Sequence, residues 1–247
     1  MTRDVSDEAE LEYLVLSYLD QIDGPVGSGA ICDWLRQEGN DISEATVGRF
    51  LRELDIRNYT ERTGFRGRTL TEKGQARLAK LRHERAVAHS STELMRALRA
   101  NDLDEVVGVL VARRALEREV ARLAAACATE RDIEALDVLI HRYETVGHLG
   151  AAAEADFAFH ARLAEISGNK VLQATTRLIH AEAQASMIPE PIRRKLRPTL
   201  ALQHGEIVDA IRNRDCVRAE AAMVKHLDLL IEAVQRYGHE VGSELGG

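Results

Sequence analysis

The chain has 247 residues, 45% hydrophobic and 30% charged, with four prolines and few aromatic residues. That is enough for one large or two ordinary globular domains, and the composition favours helix. No apolar run approaches the ~20 residues of a membrane span, and the acidic opening MTRDVSDEAELEY lacks a signal-peptide core. A cytoplasmic protein with no membrane partner is therefore expected. Cys32, Cys127 and Cys216 are far apart and form no CxxC pair, which argues against a disulfide framework or a thiolate zinc site. The net charge of −7 is unevenly spread. Residues 1–48 carry 2 basic and 11 acidic side chains, whereas residues 49–82 carry 10 and 4.

The first helix is predicted in EAELEYLVLSYLDQI, where Leu11, Leu14, Val15, Tyr18 and Leu19 recur at helical spacing. DGPVG breaks it, and Ser28 is placed as the cap of a second helix ending at Gly39. Ser43 caps a third helix, whose buried stripe is Val47, Phe50, Leu51 and Leu54. NYTERTGFRGRTLTEKG then reads as two short strands around a glycine-containing turn. Three helices and a hairpin within about 70 residues form the winged-helix pattern, a helix-turn-helix variant.

In that pattern the third helix enters the major groove of double-stranded DNA with its N-terminal residues leading. This assigns Ser43, Glu44, Thr46, Val47 and Arg49 to the DNA, with Arg52 further along. The hairpin adds Arg62, Arg66 and Arg68, suited to phosphates or a narrow minor groove. The alternative is a solvated basic hairpin on an ordinary helical domain. The segments GPVGSGAICDWLRQEGNDISEATVGRFLRELD and TGFRGRTLTEKG resemble the winged helix at the N-terminus of NrpR-type regulators, over roughly residues 10–82.

Beyond residue 83 the sequence is almost entirely helical. Asp102 or Asp104 caps DLDEVVGVLVARRALEREVARLAAACA, and Thr129 caps the next helix, which ends near Gly147 or Gly150. A third helix carries AEADFAFHARLAEI and stops at Ser167-Gly168. Asn169 caps a fourth, Pro198 starts a fifth, and Asp215 caps the last. The expected organisation is a winged helix at 1–82, a helical linker at 83–101, an all-α domain of six or seven helices at 102–237, and a flexible tail at 238–247.

Asp156 and His160 sit four apart on one helix face, beside Phe157 and Leu163. A carboxylate and an imidazole next to bulky apolar groups form either a surface pair or a site that a bound cation would satisfy. His204 and His226 fall on or near the apolar faces of two later helices, so three helices of a bundle can point metal-type ligands into one cavity. Taken singly, each of these histidines ordinarily reads as a core histidine bonded to a carbonyl.

The pieces ARRALEREVARLAA, DFAFHARLAEISGN, QHGEIVDAIRNRD and AEAAMVKHL resemble the C-terminal ligand-binding domain of the FadR branch of the GntR superfamily. The resemblance covers roughly residues 102–236. It implies a metal held by Asp156, His160, His204 and His226, an effector pocket around it, and Arg113 meeting an anionic effector, with Arg114 as the fallback. One aspartate and three imidazoles suit a divalent transition metal: zinc, nickel, manganese or iron. His83, His89, His141, His148, His180 and His239 lie outside this pattern; His180 is read as a surface residue or as lining the pocket. SEATVGRFLREL stands where the FadR branch carries an S-R-x-P-V-R-x-A-L segment, so the chain looks like an NrpR-type reader joined to a FadR-type sensor.

The expected function is a homodimeric, cytoplasmic transcription regulator that binds an inverted-repeat operator. Its sensor binds a divalent metal and a small carboxylate. The alternatives are a repressor for which the metal itself is the signal, and a metal-dependent hydrolase. The latter lacks an HExxH motif and a clearly placed general base.

Overall fold

A computed structural model describes residues 8–146, 149–183 and 188–245. The chain divides into two units, Met1–Thr92 and Glu93–Gly247.

The first unit contains α1 (Glu8–Gln21), α2 (Ser28–Gln37), α3 (Glu44–Ile56), β1 (Thr60–Arg62), β2 (Arg68–Leu70) and the start of α4 (Glu72–Leu98). Leu11, Val15, Leu16 and Leu19 of α1 meet Ile31 and Leu35 of α2 in one core. Val47, Phe50, Leu51 and Leu54 of α3 and Leu78 and Leu81 of α4 complete it. Glu12 on α1, almost fully buried, accepts two hydrogen bonds from Arg77, at 2.9 and 3.0 Å. The strands pair antiparallel, Thr60 opposite Leu70 and Arg62 opposite Arg68, and Val26 bridges to Arg68. This is the expected three-helix winged helix with its hairpin. The second helix is entered differently: Gly27 is the N-cap, and the Ser28 hydroxyl donates to Glu44 Oε1 at 3.2 Å.

The second unit contains α5 (Leu103–Cys127), α6 (Glu130–Thr145), α7 (Leu149–Ile166), α8 (Lys170–Ala183), α9 (Glu190–Arg212) and α10 (Cys216–Leu245). Helix α10 packs along α5 and α9, and α6 along α7 and α9. Local chemistry sets most boundaries. Asp102 accepts from the Glu105 N–H, Thr129 and Asp132 form a reciprocal capping box, and Asn169 accepts from the Val171 and Leu172 N–H groups. Asp215 accepts from the Arg218 N–H.

Three expectations are corrected. Gly150 lies inside α7 rather than ending the preceding helix, and Gly147 falls outside the described residues. Pro198 lies within α9, which starts eight residues earlier behind Pro189, its N-cap. The segment taken as a flexible tail continues α10 to Leu245, with residues 246 and 247 outside the described range. Among the described residues no helix is long and apolar enough to cross a membrane.

Candidate metal centre and nucleic-acid interface

Three helices of the second unit bring four polar residues to one point. Helix α7 supplies Asp156 and His160 one turn apart, α9 supplies His204 and α10 supplies His226. One ligand atom from each lies within 4.8 Å of all the others. The Asp156 carboxylate is 3.4 Å from His204 Nε2 and 3.8 Å from His160 Nε2. The imidazole rings of His204 and His226 lie 4.7 Å apart between centroids, and those of His160 and His226 5.3 Å apart. Phe159, Leu163, Ile207, Met223 and Leu227, all fully buried, surround them, which is why these helices carry the cluster inward.

The three histidines are 0–1% exposed, and Asp156, at 26%, is the accessible member. Nε2 of His160 and both ring nitrogens of His204 and His226 lack a hydrogen bond although buried. Burial lowers the His204 and His226 pKa values from the ordinary imidazole value, His226 well below it, so both rings are neutral and able to donate a lone pair. Burial opposes ionisation of Asp156, but His160, His204 and Arg113 outweigh it and hold the carboxyl well below its usual range. A carboxylate beside three imidazoles is the donor set a divalent transition metal takes.

A second buried carboxylate lies behind the first group. Glu117 on α5 is 2.6 Å from His160 Nδ1, accepts from Arg113 Nε at 2.7 Å, and sits 3.0 Å from His180 Nε2 on α8. Burial opposes its ionisation, yet Arg113, His160 and His180 keep it well below the usual carboxylate range. With Glu117 at Nδ1, His160 presents Nε2 toward Asp156, the arrangement in which an outer carboxylate orients a metal-ligating imidazole. His180 is buried, so the surface reading of it is corrected. It follows Thr176 and Ile179 on the inner face of α8, a spacing that shows in the sequence once the helix phase is known. Of the remaining histidines, His148 lies outside the described residues.

Arg113 is buried, and its Nη2 has no hydrogen-bond partner. Arg114, its fallback, is 37% exposed and pairs with Asp228 on α10.

In the first unit the N-terminus of α3 is built as expected at Ser43, whose hydroxyl accepts from the Thr46 N–H at 3.2 Å. Ser43, Glu44, Arg49, Arg52, Arg62 and Arg66 are exposed, and Thr46 is half-buried. Two assignments to DNA are corrected. Val47 is 1% exposed and belongs to the core, because the helix turns that position inward. Arg68 is largely buried in a fork on Asp55, with Nε 2.9 Å and Nη2 2.9 Å from Oδ2, and Thr60 donates to the same carboxylate at 2.6 Å. Arg68 thus fastens β2 to α3. Arg68→Ala is expected to destabilise the first unit by about 1–3 kcal/mol in chemical unfolding, as loss of charged hydrogen bonds does. It should leave the salt dependence of DNA binding unchanged; a flatter dependence would return Arg68 to the phosphates.

Residues 108–229 match the FCD domain model, and residues 13–78 match the Ribonuclease R winged-helix domain model. The chain is similar to the FadR-like regulators of the GntR family. This regulator is 29% identical over 178 residues to the "Putative L-lactate dehydrogenase operon regulatory protein" of Escherichia coli (strain K12), covering 70% of this chain and 69% of that one. It is 29% identical over 143 residues to the "HTH-type transcriptional regulator LutR" of Bacillus subtilis (strain 168), covering 56% and 65%. It is 37% identical over 73 residues to the "Global nitrogen regulator NrpR" of Methanococcus maripaludis, covering 30% of this chain and 14% of that one. These relatives are regulators rather than enzymes. This regulator accordingly combines a DNA-binding unit with an FCD effector-binding domain.

Proposed function

We propose that the FCD domain holds one divalent transition metal through Asp156, His160, His204 and His226, and that a small carboxylate effector binds at that metal and at Arg113 to change operator affinity. The observation that carries this reading is the set of orphaned nitrogens turned to one point, Nε2 of His160 and the ring nitrogens of His204 and His226. A buried polar group without a partner costs roughly 1–3 kcal/mol, and three such imidazoles around one carboxylate have a common remedy in a cation. Zinc, nickel, manganese and iron all suit this set. When bound, the metal supplies a positive centre that attracts a carboxylate. Arg113 supports an anionic effector because its buried Nη2 is unpaired while its Nε is anchored on Glu117.

On this reading the regulator acts on DNA in the cytoplasm as a homodimer on an inverted repeat, with half-sites about one helical turn or a multiple apart. Ser43, Glu44, Thr46, Arg49 and Arg52 face the major groove, while Arg62 and Arg66 meet the backbone or minor groove. Helix α4, Glu72–Leu98, spans the boundary between the two units in the sequence.

The test is calorimetry of small 2-hydroxycarboxylates on metal-loaded protein, with and without operator DNA. L-lactate comes first because the Escherichia coli relative's name ties it to an L-lactate dehydrogenase operon. Coupling of this kind is typically about 5–150-fold, and operator must change effector affinity by the same factor as effector changes operator affinity. Asp156→Ala should abolish both. Equal acid affinity with and without operator sinks the effector-gated reading. Operator affinity that follows metal concentration alone makes the metal the signal.

A further inference from the structure

The chain has four phenylalanines. Phe50 and Phe159 are buried in the two cores, and Phe157 is half-buried beside His180. Phe65 is 102% exposed at the tip of the hairpin between β1 and β2. Isolated exposed apolar residues are ordinary, but this ring is held out by a built device.

The tip is a tight turn in which the Arg66 N–H donates to the Thr63 carbonyl at 3.1 Å and the Thr63 N–H to the Gly67 carbonyl at 2.9 Å. Gly64, with φ 58°, takes a left-handed conformation that places Phe65 next at the apex. Gly67, with φ 128°, runs so close to Val26 that a Cβ there would lie 2.2 Å from its carbonyl carbon. The base of the hairpin is therefore pinned, by this approach, by the Val26–Arg68 bridge and by the Arg68–Asp55 fork. The ring is flanked by Arg62, whose Nε donates to the Gly64 carbonyl, and by exposed Arg66.

From the fully exposed ring, its anchored turn and its two flanking cations we propose that Phe65 is an apolar wedge that enters the minor groove of DNA and partly unstacks a base step while the arginines hold the phosphates beside it. The proposal rests on the DNA-binding function of this unit. A polyanion is the partner that matches two arginines around an aromatic tip, and phenylalanine is among the side chains that kink a duplex in this way. A wedge and a cation leave different signatures. Insertion contributes stacking and a bend but releases no counterion, whereas a phosphate contact contributes to the salt slope.

The experiment begins with a duplex selected by the full-length wild-type protein from a random-sequence pool. Affinity is measured against salt, bending by circular permutation, and unstacking by 2-aminopurine fluorescence along the site. Phe65→Ser is expected to weaken binding about tenfold or more, in line with the worth of base–aromatic stacking. It should abolish the bend and the fluorescence rise at one step, leaving the salt slope intact. Phe65→Leu should retain the bend, because an apolar wedge of similar reach remains. Arg66→Ala should instead reduce the salt slope by about one. Wild-type affinity and bending in Phe65→Ser overturn the proposal alone. A changed sedimentation mass in that variant overturns it too, by placing the ring in a subunit contact. If the wild-type protein selects no duplex at all, the DNA-binding function falls and the wedge with it.

Discussion

Replacing His204 or His226 with alanine is expected to remove the bound metal, from about one ion per chain to none by elemental analysis. The stability that the metal confers should go with it. Each of these side chains is fully buried and reaches the cluster from a different helix, His204 from α9 and His226 from α10. A metal there ties α7, α9 and α10 together and binds only the folded state. At free metal a thousandfold above its dissociation constant, such a ligand stabilises by about 4 kcal/mol. The wild-type protein should lose this increment on chelation, whereas the alanine variants should show no difference with or without metal. Dialysed wild-type protein that takes up no metal, or a His226→Ala variant that still takes one up tightly, would refute the site.

Acid should act in the same direction, and the metal-free protein isolates why. His180, His204 and His226 have pKa values lowered by burial, so between the ordinary histidine value and their folded values the unfolded chain binds protons that the folded chain refuses. Stability therefore falls as pH drops below about 6.5, by up to about 1.4 kcal/mol per pH unit for each such histidine. Asp156 and Glu117 are also lowered, so their stabilising effect is present above the ordinary carboxylate range and lost as pH falls through and below it. Denaturant titrations at pH 7.5, 6.0 and 5.0 should show declining stability; a flat profile would mean the imidazoles find partners in solution. Metal uptake should fall over the same range, because an imidazole must be neutral to ligate.

The parts legible in the sequence were those that local chemistry decides. Ser43, Asp102, Thr129, Asn169 and Asp215 each accept a hydrogen bond near the start of the helix they were expected to cap. Asp156 and His160 announced a shared face by their spacing alone. That α9 and α10 close on the same point came from the family pattern, since no local rule relates residues 44 and 66 positions away from His160. What was misread depends on tertiary partners. Val47 belonged both to the apolar stripe of α3 and to its leading turn, and the core claimed it. Arg68 looked like its neighbour Arg66 until Asp55 on α3 supplied a carboxylate. Glu117 stands four residues after Arg113, but its contacts with His160 and His180 join three helices and leave no trace in spacing.

That three-way contact makes Arg113→Ala the substitution expected to cost the fold most. The Arg113–Glu117 side chains are 7% and 2% exposed, and removal of the guanidinium strands a buried carboxylate. Breaking a buried ion pair from one side typically costs about 3–5 kcal/mol, much more than the pair is worth against apolar residues of similar size. The double change Arg113→Met with Glu117→Leu should therefore recover most of the stability lost in Arg113→Ala. It should not recover function. Without Glu117 nothing fixes which nitrogen of His160 carries the proton, and loss of such an outer partner typically weakens metal binding about 10–100-fold. Without Arg113 the proposed carboxylate effector loses its second anchor. The informative result is thus a protein that unfolds at nearly the wild-type denaturant concentration yet binds metal weakly and no longer responds to the acid. A double variant as unstable as Arg113→Ala would show that the site needs its charges for stability. One that binds metal as tightly as wild type would show that Glu117 does not orient His160.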